Sequence, residues 1–141
     1  VFDDSYNANP LSFRGCFETA ATVRPGPGGR RIAVLSDMTG MGARAEVLHA
    51  ELAEPFAAAG FDLLYTRGER IQALWEALGD RAPPGRHCDT VEEMALAVLG
   101  EVEPGDVVIL KGSDPDPRHT ALDKVLHAIQ VFGFTGRRAM V

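Results

Sequence analysis

Apolar residues along this chain fall into two patterns that take turns. The first is a short, nearly unbroken aliphatic run: "RRIAVLS" at 30–36, "FDLLYT" at 61–66 and "DVVILK" at 106–111. Runs of that length, rich in branched side chains, suit strands covered on both faces. The second is a three-to-four-residue spacing. Phe13, Cys16, Phe17 and Ala20 share one face of a predicted helix from Pro10 to about Val23, with Asn9 placed to cap it and Pro10 at its first position. Val47, Leu48, Leu52, Phe56 and Ala59 line the inward face of a second, from about Ala43 to Ala59, which stops at Gly60. Pro55 lies inside that helix, lacks a backbone donor and predicts a kink. Ile71, Leu74, Trp75 and Leu78 mark a third helix before Gly79. Thr90 and Glu93 form the capping box of a fourth, and Thr120 to Val131 is a fifth.

Strands alternating with helices through short turns imply a parallel sheet with helices packed on both sides. The expected fold is three-layer α/β, Rossmann-like, with a mostly parallel sheet in a single domain over residues 1–141. "RHCDT" (86–90) is a further candidate strand, and "RRAMV" (137–141) a candidate terminal edge strand. In such sheets ligands gather at the carboxyl ends of the strands. Attention therefore falls on four polar loops: "DDSYNANP" after the first strand, "SDMTGMG" (36–42), "TRGER" (66–70) and "KGSDPDPRH" (111–119).

Each loop carries a chemical option and a plainer alternative. Asp4 can accept hydrogen bonds from a ribose diol, Tyr6 offers a stacking face, and Asn7 and Asn9 offer amide forks for a base edge or phosphate. Equally, Asp4 and Asn9 can simply cap the next helix. The glycines of "SDMTGMG" lack the third glycine of a dinucleotide site and no GKS or GKT follows, so a turn that starts a helix is favoured. Lys111 ends an apolar strand, where it can meet a phosphate or carboxylate beside Gly112 and Ser113, or snorkel to solvent. His49 reads as structural, and the scattered histidines give no metal-ligand spacing.

Composition narrows the classes. With 14 basic against 20 acidic residues the net charge is −6, which argues against a nucleic-acid backbone binder. No apolar run approaches the roughly 20 residues that span a bilayer, so membrane insertion is not expected. Two distant cysteines, Cys16 and Cys88, form neither a disulfide framework nor a zinc motif. A reduced, cytoplasmic setting is expected.

Taken in order and spacing, "DDSYNANP", "IAVLSDM", "EVLHAEL", "YTRGER" and "VILKGS" resemble the C-terminal domain of the Mur ligases over nearly the whole chain. The resemblance implies a third domain whose partners in the same polypeptide, a UDP-sugar domain and a central P-loop domain, are absent here. The abrupt opening "VFDD" is expected to lie near an interdomain hinge. It further implies an ATP-dependent peptide ligase of peptidoglycan precursor synthesis, joining D-Ala-D-Ala to UDP-N-acetylmuramoyl-tripeptide through an acyl phosphate. ATP and Mg would be held mainly by the central domain, and no catalytic or metal-binding residue would lie in this domain alone. By the same resemblance Asp4, Tyr6, Asn7 and Asn9 would lie at the ATP, and Lys111, Gly112, Ser113, Arg67 and Glu69 at the incoming acceptor. Either Arg67 or Lys111 would pair with the acceptor carboxylate. Two departures stand out: Ser36 replaces the glycine of a "GDM" motif, and "DPDPRHT" follows "KGS" where the family has an arginine- and methionine-containing run. A relative taking another amino acid, of cyanophycin or folylpolyglutamate type, and a stand-alone nucleotide-binding module remain the alternatives.

Overall fold

A computed structural model describes residues 1–4 and 8–113, together with His127, residues 2–4 through their backbone. Its elements run β1 (Phe2–Asp4), α1 (Pro10–Thr22), β2 (Arg31–Ser36), α2 (Ala45–Ala50), α3 (Ala53–Ala59), β3 (Leu63–Arg67), α4 (Gln72–Leu78), β4 (Gly85–Cys88), α5 (Val91–Glu101) and β5 (Val107–Lys111). The five strands form one sheet in the order β1-β5-β2-β3-β4, every pair parallel. The predicted strand at 137–141 and the fifth helix, apart from an exposed, helical His127, lie outside the described residues.

The aliphatic runs split their side chains between two cores by the two-residue period of a strand. Ala33, Leu35, Leu64 and Ile109 face one side, packed under α1, α2, α3 and α4. Ile32, Val34, Leu63, Tyr65, Val108 and Leu110 face the other and meet Met94 and Val98 of α5. Helices on both faces confirm the three-layer arrangement. At the first face Phe17 sits edge-on to Phe13, Phe56 and Phe61, with ring centroids 5.7, 5.5 and 5.6 Å away.

Helix starts follow local chemistry. Asn9 caps α1 by accepting from the Ser12 amide at 2.8 Å while the Ser12 hydroxyl accepts from the Asn9 amide at 3.0 Å. Thr90 caps α5 at the Glu93 amide, but the Glu93 carboxylate reaches one residue further back, to the Asp89 amide. The predicted helix 43–59 is corrected: it is two helices with a break at Glu51–Leu52. Pro55 cannot donate to the Glu51 carbonyl, and restarting the helix at Ala53 moves Pro55 into a first turn, where amides have no helical partner anyway. Val47 falls off the buried stripe of Ala45, His49, Leu52, Ala53 and Phe56 and faces outward. It is 52% exposed, against the inward placement expected of it.

The amino edge of the sheet is closed by structural contacts. Arg30 donates to the Asp106 carboxylate (3.2 Å) and to the Glu101 carbonyl (2.6 Å), and hydrogen bonding to Asp106 raises its pKa further. Asp62 accepts from the Arg31 amide. Both carboxylates serve the backbone there, which leaves the carboxyl edge as the open one.

Candidate functional site

Strand register brings the chemistry-bearing residues level with one another. Lys111 lies beside Asp4 on one side and Leu35 on the other, while Ser36 lies beside Arg67 and Arg67 beside Cys88. The loops after β1, β2, β3 and β5 therefore leave the sheet along a single edge, as the alternating pattern implied.

A hydrogen-bond relay ties those loops together. The Asp37 carboxylate accepts from the amides of Ile71 (2.8 Å) and Arg70 (3.2 Å), which fastens the loop after β3 to the loop after β2. Gly68 passes so close that a Cβ there would collide with the Asp37 carboxylate, and its φ of +124° is a backbone state other residues avoid. The Asp37 carbonyl accepts from the Ser113 amide at 2.8 Å. Ser113 in turn grips Ala8: its hydroxyl accepts from the Ala8 amide (3.1 Å) and donates to the Ala8 carbonyl (3.3 Å). Four chain segments, up to 105 residues apart, thus share one connected rim.

His49 supports that rim from below. It is fully buried; its Nε2 accepts from the Met38 amide at 2.8 Å, so its proton sits on Nδ1 and goes to the Ala45 carbonyl at 2.6 Å. This is the structural role expected of it. At the far end, Trp75 Nε1 donates to the Thr66 hydroxyl (2.7 Å), which lies 2.8 Å from His87 Nδ1.

The proposed site residues separate by environment. Lys111 does not snorkel: it is completely buried, with Nζ 5.9 Å from the centroid of the Phe13 ring. Gly112 packs against Ser36, whose side chain would collide with any Cβ at that position. The serine that departs from the "GDM" motif is accommodated by this glycine. Ser113 commits its hydroxyl to Ala8, and the Asn9 side-chain oxygen is taken by its cap. Arg67 is half-buried, and its Nε is buried with no hydrogen-bond partner among the described residues. Glu69 is exposed beside the groove between α2 and α4. The Asp4 side chain, Tyr6, Asn7, Asp114, Asp116 and Arg118 lie outside the described residues. No group of three or more His, Cys, Asp or Glu among the described residues is arranged to hold a metal. No described helix is long and apolar enough to cross a membrane.

Sequence reasoning missed Asp37. Its signal was a carboxylate placed directly after a buried strand and followed by helix-starting loop residues, which reads as a cap for its own helix. Its actual partners belong to the next unit.

A parallel sheet with helices on both faces, one rim of interlocked polar loops and a structurally closed opposite rim defines a Rossmann-like α/β domain. The chain belongs to the family described as Mur ligase, glutamate ligase domain, whose model matches residues 1–114. It is 31% identical over 135 residues to UDP-N-acetylmuramoyl-tripeptide–D-alanyl-D-alanine ligase of Escherichia coli (strain K12), covering 94% of this chain and 27% of that protein. It is 25% identical over 130 residues to the ligase of the same name from Rickettsia prowazekii (strain Madrid E), covering 92% and 27%. This chain therefore spans about a quarter of the length of those relatives. Among solved structures, its fold is similar to the MurF ligase of Thermotoga maritima in complex with ADP (TM-score 0.67, 24% identity, 90% of this chain and 27% of that one). It is also similar to MurF of Acinetobacter baumannii (TM-score 0.71, 20% identity, 88% and 26%).

Proposed function

We propose that this chain is the C-terminal domain of an ATP-dependent ligase that joins D-Ala-D-Ala to UDP-N-acetylmuramoyl-tripeptide in peptidoglycan precursor synthesis. The observation that supports the reading is the relay-bound rim, in which Ala8, Asp37, residues 68–71 and Ser113 meet on one edge. In the reaction, a terminal carboxylate of the tripeptide takes the γ-phosphoryl group of ATP, and the acceptor amine displaces phosphate from the acyl phosphate. ATP and Mg would be held mainly by a central domain, which supplies charge neutralisation at the phosphates. This domain contributes Asp4 to the ribose, Tyr6, Asn7 and Asn9 beside the nucleotide, and Arg67, Glu69, Lys111, Gly112 and Ser113 to the acceptor side.

Of the two cations, Arg67 is the better partner for the acceptor carboxylate. It reaches the surface, and its Nε has no hydrogen-bond partner among the described residues, whereas Lys111 lies wholly beneath it. A guanidinium presents a fork that matches a carboxylate. In the intact enzyme Arg67→Ala should raise KM for D-Ala-D-Ala about 10- to 100-fold, the loss of a charged hydrogen bond of about 1.5–3 kcal/mol, with far less effect on KM for ATP. Equal effects on both would remove the assignment. Asp4→Ala should show the opposite split. The intact enzyme should prefer D-Ala-D-Ala to single amino acids or glutamate in an acceptor screen; another preference would move it to a different branch of the family. The given sequence holds no GxxxxGK[ST] motif, so the 141-residue chain alone should neither hydrolyse ATP nor form the peptide bond.

A further inference from the structure

The relay has a direction that the ligand assignments do not use. β1 is a three-residue edge strand held by one neighbour, β5. The segment that follows it is fastened to the rest of the rim where Ser113 Oγ grips both polar groups of the Ala8 backbone. Ala8 is 2% exposed and Ser113 8% exposed, so water competes poorly for these bonds. The amide of the same Ser113 holds the Asp37 carbonyl, and the Asp37 side chain holds Arg70 and Ile71. Hydrogen bonds of this kind weaken steeply with small changes of length and angle. Gly68, pressed against the Asp37 carboxylate, lets the loop follow that side chain closely.

We propose that Ser113 and Asp37 are positioning residues that couple the two halves of the rim, so that a nucleotide that steadies Ala8 and Asn9 also steadies residues 68–71. This rests on the placement of the nucleotide beside residues 4–9. Ser113 is then a strut whose hydroxyl is committed to Ala8 and acts on the acceptor only through the backbone. Nucleotide and acceptor would each strengthen the other's binding, as linkage requires.

The test is hydrogen exchange, read by mass spectrometry, on the intact protein with ADP as the probe. In the unaltered protein ADP should slow exchange in residues 1–9 and also in residues 68–72. Ser113→Ala should keep the slowing at 1–9 and reduce that at 68–72 at least fivefold, the lower end of ordinary coupling between sites. Asp37→Asn, which leaves the Ala8–Ser113 grip untouched, should do the same. Exchange of residues 32–35 in β2, unchanged from the parent, certifies that each variant is folded. A merely structural role would raise exchange at 68–72 equally with and without ADP, and that result overturns the coupling. Slowing confined to residues 1–9 in the unaltered protein also overturns it while sparing the functional reading. If ADP slows neither segment, the nucleotide placement fails and the coupling with it.

Discussion

Replacing Gly68 by alanine separates backbone strain from the Asp37 contact, because Gly60 serves as an internal reference. Gly60 ends α3 at φ +70°, in the left-handed region, with nothing within 4 Å of a built Cβ. Gly60→Ala should cost only the left-handed penalty of about 1 kcal/mol. Gly68 sits at φ +124°, and its Cβ would displace the Asp37 carboxylate that holds Arg70 and Ile71. Strain of about 1–3 kcal/mol adds to the loss of at least one hydrogen bond to a charged group, about 1.5–3 kcal/mol, for a total of about 2.5–6 kcal/mol. Native-state hydrogen exchange of the buried β2 amides reads this directly, and it does so even inside a longer protein. At about 1.4 kcal/mol per decade, Gly68→Ala should speed exchange more than about 50-fold and Gly60→Ala about fivefold. In an Asp37→Ala background, the penalty of Gly68→Ala should shrink to the strain alone. Equal effects at the two glycines, or no shrinkage in that background, would refute the account of Asp37 as the partner that Gly68 must clear.

Two further outcomes follow from burial. Phe17→Ala removes the ring at the centre of the Phe13, Phe56 and Phe61 cluster and should destabilise by about 3–5 kcal/mol, read by the same exchange. Desolvation pushes the Cys88 thiol and the Tyr65 phenol above their ordinary pKa values. The folded protein then keeps protons that the unfolded chain releases, so stability is whole below about pH 9 and falls as pH rises beyond it. Denaturation midpoints across pH 7–11 check the sign, and a thiol reagent should modify half-buried Cys16 well before Cys88.

Local rules carried much of the fold. Aliphatic runs announced β2, β3 and β5, Asn9–Pro10 and Thr90 announced α1 and α5, and Gly60 stopped α3 where expected. Because ligand loops in a parallel sheet leave from carboxyl ends, the four candidate loops were also legible. Val47 and the Glu51–Leu52 break were not. Apolar spacing does not mark where a helix pauses, and it let Val47 pass for an inward residue although the buried stripe runs through Ala45, His49, Leu52 and Phe56.

By itself, then, the sequence determined which segments are strands and helices and which loops carry polar chemistry, since those depend on neighbours a few residues away. Only the tertiary structure decided that β5 inserts between β1 and β2, that Lys111 is buried while Arg67 is only half-buried, and that Asp37 and Ser113 serve loops other than their own. Those outcomes depend on hydrogen bonds between groups 33 to 105 residues apart. Which donor meets which acceptor at that range is set by strand order and register, and no local pattern encodes it.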